Sequence, residues 1–249
     1  MSQPRILVVQ TGTVAEPLRT EHGDYPSWFA RALDGVARLT TTLWAHEGER
    51  LTAQAVDRSG SAGIIVTGSP LSATAEERQP WMDELGATLL DLGKRGVPVL
   101  GVCFGHQLIC RAAGGDVKRN RAGREIGTVD IQITEAGLRD PLFSWARSQP
   151  LDRLEVQATH LDAVDPLPPG ATILAGNENT PAQAVRLSET VAGVQFHPEL
   201  RPEALKALIE SRAEKIKAEG GDPDKLAARV RKTEGKEILR AFAEQCGRD

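Results

Sequence analysis

Cysteine is scarce in this sequence. Among 249 residues there are three, Cys103, Cys110 and Cys246. An odd number, irregularly spaced and without a Cys-x-x-Cys pair, excludes a disulfide framework and a cysteine-rich zinc site, so no metal and no cofactor are expected. Free thiols point to a reducing compartment, and the expected location is the cytoplasm. Basic charge is not in excess either. Lys and Arg number 30 against 34 Asp and Glu, for a net charge of −4. A general nucleic-acid binder needs a basic face, so that class is set aside, whereas a small anion needs only a local site. No apolar run reaches the length of a membrane span. Ile6-Leu7-Val8-Val9, after Met1-Ser2-Gln3-Pro4-Arg5, is too short for the apolar part of a secretory signal. Repeats and low-complexity tracts are absent. What is present is a 40% hydrophobic content, enough for one large domain or two small ones with a buried core.

The first two-thirds alternate short apolar runs with helical patterns. Arg5–Gln10, Leu39–Trp44, Gly63–Thr67 and Val97–Val102 read as strands. Pro26–Asp34, Glu76–Arg95 and Phe104–Ala113 read as helices, the last stopping at Gly114-Gly115. Apolar strands separated by helices imply parallel pairing, with helices covering both faces. From Glu125 the pattern changes. Glu125–Thr134 alternates at period two, and Leu154–Thr159, Ala171–Ala175, Ala182–Leu187 and Val191–Phe196 follow as short strands that add antiparallel pairs to the same sheet. The last fifth is helical. Leu205, Leu208, Ile209, Arg212 and Ile216 share one face of Glu203–Ala218. Asp222-Pro223 supplies a cap and first-turn proline for a second helix, interrupted at Gly235 and continued by Ile238, Leu239 and Phe242. The expected architecture is therefore α/β: a mostly parallel central sheet with helices on both faces, extra antiparallel strands and a C-terminal helical extension. Residues 1–200 form the α/β domain, and 201–249 the extension packed on it.

Gly101-Val102-Cys103-Phe104-Gly105 is the strongest local signal. It has the form glycine, any residue, nucleophile, any residue, glycine, between a strand and a helix. Such a turn places the side chain at a helix N-terminus, where partial positive charge favours a thiolate and unpaired N–H groups can hold an oxyanion. A free cysteine at a strand end is ordinarily a buried core residue. The paired glycines make Cys103 the candidate nucleophile, with Cys110 in the core and Cys246 in a frayed tail.

A cysteine hydrolase needs a histidine to move the proton and a third group to orient the ring. His22 and His46 lie in polar loop sequence and are expected at the surface. His106, one turn from Cys103, is expected to shape the elbow. Two candidates remain, each at a strand end: His197-Pro198-Glu199 and His160-Leu161-Asp162. In extended chain, residues i and i+2 share a side, so either carboxylate can steer its histidine. Chemistry alone prefers His197 only slightly.

Gly101-Val102-Cys103-Phe104-Gly105-His106-Gln107 and Gly193-Val194-Gln195-Phe196-His197-Pro198-Glu199 together resemble the signature of the class I glutamine amidotransferases. Thr159-His160-Leu161-Asp162-Ala163-Val164 resembles the loop that closes over glutamine in that family. Leu167-Pro168-Pro169-Gly170-Ala171, Gln183-Ala184 and the turn Thr67-Gly68-Ser69-Pro70 also fit, so the likeness runs over roughly residues 5–200. The resemblance implies a flavodoxin-like fold, with Cys103 attacking the glutamine amide, His197 as base and Glu199 orienting it. It also implies backbone N–H groups of Gly68 and Phe104 as the oxyanion hole, and substrate contacts from Gln107, Thr159, His160 and Leu161. The chain departs from many members at Leu161, where they have glycine, and at Thr159, where they have serine. The implied partners are glutamine, or another γ-glutamyl compound, and a separate synthase subunit that receives the ammonia. A helical tail after Glu199 is similar to stand-alone members near the glutaminase part of GMP synthase and to γ-glutamyl peptidases. A non-catalytic, amidotransferase-like subunit is the competing class. An α/β-hydrolase with a cysteine elbow is set aside, since it would place the acid before the histidine.

Lys118, Arg119, Arg121 and Arg124 cluster after Gly114-Gly115 and are expected to form a solvated loop that offsets local acidic helices rather than a docking patch. Trp81 and Trp145 are expected to pack in or around the core.

Overall fold

The apolar runs become the centre of one wide sheet. The computed structural model describes residues 3–148 and 152–247; Met1 and Ser2 of the N-terminal run lie outside them, as do residues 149–151 and the last two of the extension. The strands are β1 (Arg5–Gln10), β2 (Arg38–Trp44), β3 (Gly63–Val66), β4 (Val99–Val102), β5 (Val117–Arg119), β6 (Glu125–Ile133), β7 (Arg153–His160), β8 (Asp162–Val164), β9 (Thr172–Gly176), β10 (Ala184–Arg186) and β11 (Val191–Val194). Nine of them pair in the order β2-β1-β3-β4-β11-β10-β9-β6-β7, and β5 pairs with β8 in a small separate ribbon. The run β2-β1-β3-β4-β11 is parallel and the remaining pairings are antiparallel; the change of pattern at Glu125 implied this for β6 to β10, whereas β11, expected among the antiparallel strands, also extends the parallel run beside β4.

The central strands β3, β4 and β11 are buried at every position because both faces are covered. Successive residues serve opposite layers. Ile6 and Ile65 join one core with Phe29, Leu33, Ile238 and Phe242. Leu7 and Ile64 join the other with Leu85, Leu89 and Ile109. The first layer is built from α2 (Tyr25–Ala32) and α10 (Lys236–Cys246), the second from α3 (Ala53–Ser59), α4 (Pro80–Lys94) and α5 (Phe104–Ala112). A third cluster, with Trp28, Ile126, Leu205, Ile209 and Ile216, fastens α1 (Leu18–His22), α7 (Pro202–Ser211), α8 (Ala213–Ala218) and α9 (Pro223–Arg229) over the carboxyl ends of the strands. A short helix α6 (Glu135–Arg139) follows β6.

Several local expectations change. The helix expected over Glu203–Ala218 breaks at Arg212, which leaves helical geometry at φ −109° and ψ 10° and separates α7 from α8. Helix α3 buries only Val56, which leaves it no apolar period to read. Cys246 is not in a frayed tail: it is buried in α10, and a Cβ on Gly63 would lie 2.3 Å from its sulfur. His46 is only partly exposed; its ring bonds Thr13 Oγ1 at 3.0 Å and the Gln10 carbonyl at 3.2 Å. The basic cluster is offset by acidic groups, as expected. Arg124 donates two hydrogen bonds to Glu219, at 2.7 and 2.9 Å, and Arg119 lies 3.6 Å from Asp162. Cys110, Trp81 and Trp145 pack as expected.

Candidate active site

Strand β4 turns into α5 within one residue. Cys103 makes that turn at φ +50° and ψ −100°, and among the described residues no other non-glycine has a positive φ. Such a conformation costs on the order of 1–3 kcal/mol and persists only where the surroundings fix it. Here they do. The Cys103 N–H bonds the Val194 carbonyl at 2.8 Å, and the Gly105 N–H bonds the Thr67 carbonyl at 3.1 Å. The two flanking glycines are required by contact. A Cβ on Gly101 would lie 2.6 Å from the Gly105 carbonyl, and one on Gly105 2.5 Å from the Val66 carbonyl oxygen. The sulfur is thus held at the carboxyl ends of the strands, and among the described residues no acceptor takes the N–H of Phe104 or of Gly68.

Strand β11 delivers the second component. Its continuation is pinned at Gln195, whose N–H bonds the Gln183 carbonyl, and at His197, whose N–H bonds the Gln157 carbonyl, each at 2.8 Å. His197 Nδ1 donates to Glu199 Oε1 at 2.6 Å, and both side chains are buried. That bond fixes the tautomer and leaves Nε2 for another partner. Burial lowers the imidazole pKa, but the Glu199 carboxylate and the Cys103 sulfur, each by charge and hydrogen bond, outweigh it and hold the ring up to about 10. The ring also presses on the turn after β3, since a Cβ on Gly68 would lie 2.7 Å from His197 Cε1.

His160 closes β7 and belongs to another network. Its Nε2 meets Glu125 Oε2 at 3.1 Å, and Glu125 also accepts from Asn177, Thr180 and Gln183. Burial raises the Glu125 pKa, and these donors, led by His160, more than reverse it. Asp162 does not steer His160. It accepts from Ser72 Oγ at 2.7 Å and faces Arg119. His106 is buried beneath the elbow, with Cys110 Sγ 3.6 Å from its Nδ1, and burial, then the charge of His160, push its pKa down to about 3.

A cavity of about 710 Å³ opens onto Cys103 and is lined in part by Gln107, Thr159, His160 and Leu161, the residues implied for substrate. Gln107 donates from Nε2 to the Asp162 carbonyl at 2.9 Å and to Gln195 Oε1 at 3.1 Å; Gln195 in turn donates to Cys103 Sγ at 3.5 Å. Two side chains thereby tie Asp162, at the start of β8, to the nucleophile.

The chain matches the model of the family described as glutamine amidotransferase class-I over residues 28–215. That span contains the whole constellation around Cys103 and most of the chain. The chain belongs to this family. Among its relatives is a GMP synthase [glutamine-hydrolyzing] from Aeropyrum pernix, 32% identical over 201 residues, which are 81% of this chain and 34% of that protein. Another, of the same name, from Corynebacterium glutamicum, is 35% identical over 150 residues, 60% of this chain and 26% of that protein. The chain therefore spans about a third or less of the length of these curated relatives. Among solved structures, a glutamine amidotransferase from Thermotoga maritima has the same fold, with a TM-score of 0.74, 24% identity and 99% of each chain covered. One from Methylobacillus flagellatus superimposes with a TM-score of 0.70 at 23% identity, over 98% of this chain and 93% of that one. The glutaminase-type cysteine hydrolase expected from the elbow agrees with the class I amidotransferase family.

Three residues in or behind this amidotransferase cavity escaped the sequence reading. Gln195 was visible as the polar member of an apolar run but had no assigned role. Tyr25 packs against Gly68, where a Cβ would lie 3.3 Å from its ring, and burial, then the charge of Cys103, raise its pKa. Arg212 sits on the apolar face of its helix and reaches the cavity, where Nη1 donates to Thr159 Oγ1. A lone arginine at a core-facing position was the one available signal.

Proposed function

We propose that the chain hydrolyses the γ-amide of glutamine through a γ-glutamyl thioester on Cys103 and passes the ammonia to an acceptor bound by a separate synthase subunit. The observation that carries this reading is a sulfur held at a strained turn and in electrostatic contact with a buried imidazole–carboxylate pair. Cys103 sulfur attacks the amide carbon, and the carbonyl oxygen takes the negative charge toward the N–H groups of Gly68 and Phe104. His197, protonated across the neutral range, gives its proton to the departing nitrogen; the C–N bond breaks and ammonia leaves. His197, now neutral, takes a proton from water, whose oxygen attacks the thioester carbon. The C–S bond breaks, and glutamate departs. Gln107 and the Thr159–Leu161 segment hold the amino-acid end of the substrate. Residues 1–200 carry this chemistry, with 201–249 as the covering extension, in the reducing cytoplasm.

A second reading, hydrolysis of γ-glutamyl conjugates, is favoured by the size of the cavity. The test offers purified protein glutamine and γ-glutamyl peptides, and measures both ammonia and glutamate. We expect turnover that Cys103→Ala and Cys103→Ser each abolish, with an unchanged near-UV spectrum. Full activity in the alanine variant removes Cys103 from the mechanism. No turnover of any γ-glutamyl compound, with or without a synthase subunit, assigns the chain to the non-catalytic class.

A further inference from the structure

One amide sits where the core would otherwise be apolar. Strand β11 is buried at every position, and Gln195, which continues it between Val194 and Phe196, is wholly buried too. Burying an amide is costly unless its oxygen and its N–H groups find partners. Both ends of Gln195 do. Its Oε1 accepts from Gln107 Nε2 at 3.1 Å, and its Nε2 donates to Cys103 Sγ at 3.5 Å. The Gln195 backbone N–H is bonded to the Gln183 carbonyl, so the side chain hangs from a fixed piece of main chain.

The far end of this chain of bonds sets its direction. The Asp162 carbonyl can only accept, so Gln107 turns its NH₂ group toward it, at 2.9 Å. The second N–H of that group points to Gln195, whose oxygen must be the atom that meets it. The Gln195 nitrogen is thereby left for the sulfur. Amide dipoles aligned head to tail strengthen one another away from water. A hydrogen-bond donor on sulfur favours the thiolate over the thiol, because the charged sulfur is the stronger acceptor. The titratable groups that act on the sulfur from other elements are His197 beyond β11, Tyr25 on α2 and Arg212 between α7 and α8. Gln195 does not titrate, so its contribution is the same at every pH.

We propose that Gln195 is a catalytic residue, whose amide N–H stabilises the Cys103 thiolate, and that Gln107 acts through it as a positioning residue, fixing the direction of that amide from the Asp162 carbonyl. The assignment rests on Cys103 being the nucleophile of the γ-glutamyl thioester. As the sulfur–carbon bond forms, negative charge leaves the sulfur for the carbonyl oxygen, and the bond from Gln195 weakens. When water has attacked and the carbon–sulfur bond breaks, the electron pair returns to the sulfur and the bond from Gln195 is restored. Gln195 thus raises the fraction of enzyme ready to attack and eases the departure of the thiolate, without giving up a proton in either step.

The experiment follows the sulfur itself. Purified wild type, Gln195→Met, Gln195→Leu and Gln107→Met are alkylated with iodoacetamide across a range of pH, and the rate is read by mass on the peptide that contains Cys103. Methionine nearly keeps the shape of Gln195 and removes the donor. Loss of a hydrogen bond to a charged group predicts alkylation about 10–100-fold slower on the acid side, with the acid limb of the profile displaced upward by about one to two pH units. On the alkaline side the rate should recover fully or slightly exceed that of the wild type, because a thiolate that holds its proton more tightly is the better nucleophile. Gln107→Met should move the limb the same way by a smaller amount. A limb that Gln195→Met leaves in place overturns the proposal. So does a rate lowered equally at every pH, which means a displaced sulfur and not a less ionised one, and so does a Gln107→Met limb that coincides with the wild type. If Gln195→Met fails to fold, Gln195→Leu decides by the same criteria. A displaced limb in a protein that turns over no γ-glutamyl compound keeps the role of Gln195 and discards the thioester reading.

Discussion

Replacing Glu199 by Gln removes one charge and keeps the shape of the pair. The His197 ring is held at a pKa of about 10 against an ordinary 6.5, although burial by itself lowers it. The Glu199 carboxylate, 2.6 Å from Nδ1, is the largest of the groups that raise it. Without that charge only Cys103 still opposes burial, and the ring pKa is expected to fall well below about 10. Each unit by which the pKa falls below the assay pH then takes about tenfold from the acid step alone. The amide can also turn its NH₂ toward Nδ1 and reverse the tautomer, which brings the expected loss in kcat/KM to about 10²–10⁴-fold. The assay is a profile of kcat/KM against pH. In the wild type, activity should fall as pH rises through about 10; in Glu199→Gln that limb should move to well below 10. Stability carries the same sign. The folded pKa lies above the unfolded one, so the stabilisation from this pair is complete below about 6.5 and is lost as pH rises toward 10. A Glu199→Gln enzyme whose alkaline limb stays near 10 refutes the reasoning.

His197→Ala should lose far more activity than His160→Ala, because His160 faces Glu125 rather than the sulfur; the reverse ranking in kcat would reassign the base. His160→Ala should instead cost stability, about 1–3 kcal/mol in urea unfolding, by taking one donor from a buried carboxylate. The glycines should separate by what they touch. Gly105→Ala drives a Cβ to 2.5 Å from a backbone oxygen, which cannot yield, and should destabilise the fold by about 1–3 kcal/mol or more. Gly68→Ala meets a side chain, 2.7 Å from the His197 ring; it should cost about 10²-fold in kcat through a displaced imidazole, with the smaller change in melting temperature. Equal melting temperatures for the two variants would contradict this contact analysis.

The sequence by itself determined the layers of the molecule. Strands such as Ile64-Ile65-Val66 are apolar at consecutive positions, which only a sheet covered on both faces explains, and their alternation with helices gave parallel pairing. The elbow was equally legible, because its two glycines answer a local demand: the strand and helix on either side of Cys103 come too close for any Cβ. The change to period-two alternation at Glu125 marked the antiparallel edge.

Other features depended on contacts between distant segments, which leave no periodic trace. His160 and His197 looked alike along the chain, each followed two residues later by a carboxylate. The sheet order sets one against Glu125 and the other against Glu199 beside the sulfur. Arg212 read as one more member of a helix face until the chain broke there and turned its guanidinium into the cavity. Local propensity and burial pattern are properties of a segment and can be read from it. The partner of a buried charge belongs to the folded whole, because it is chosen by desolvation and proximity among groups tens of residues apart.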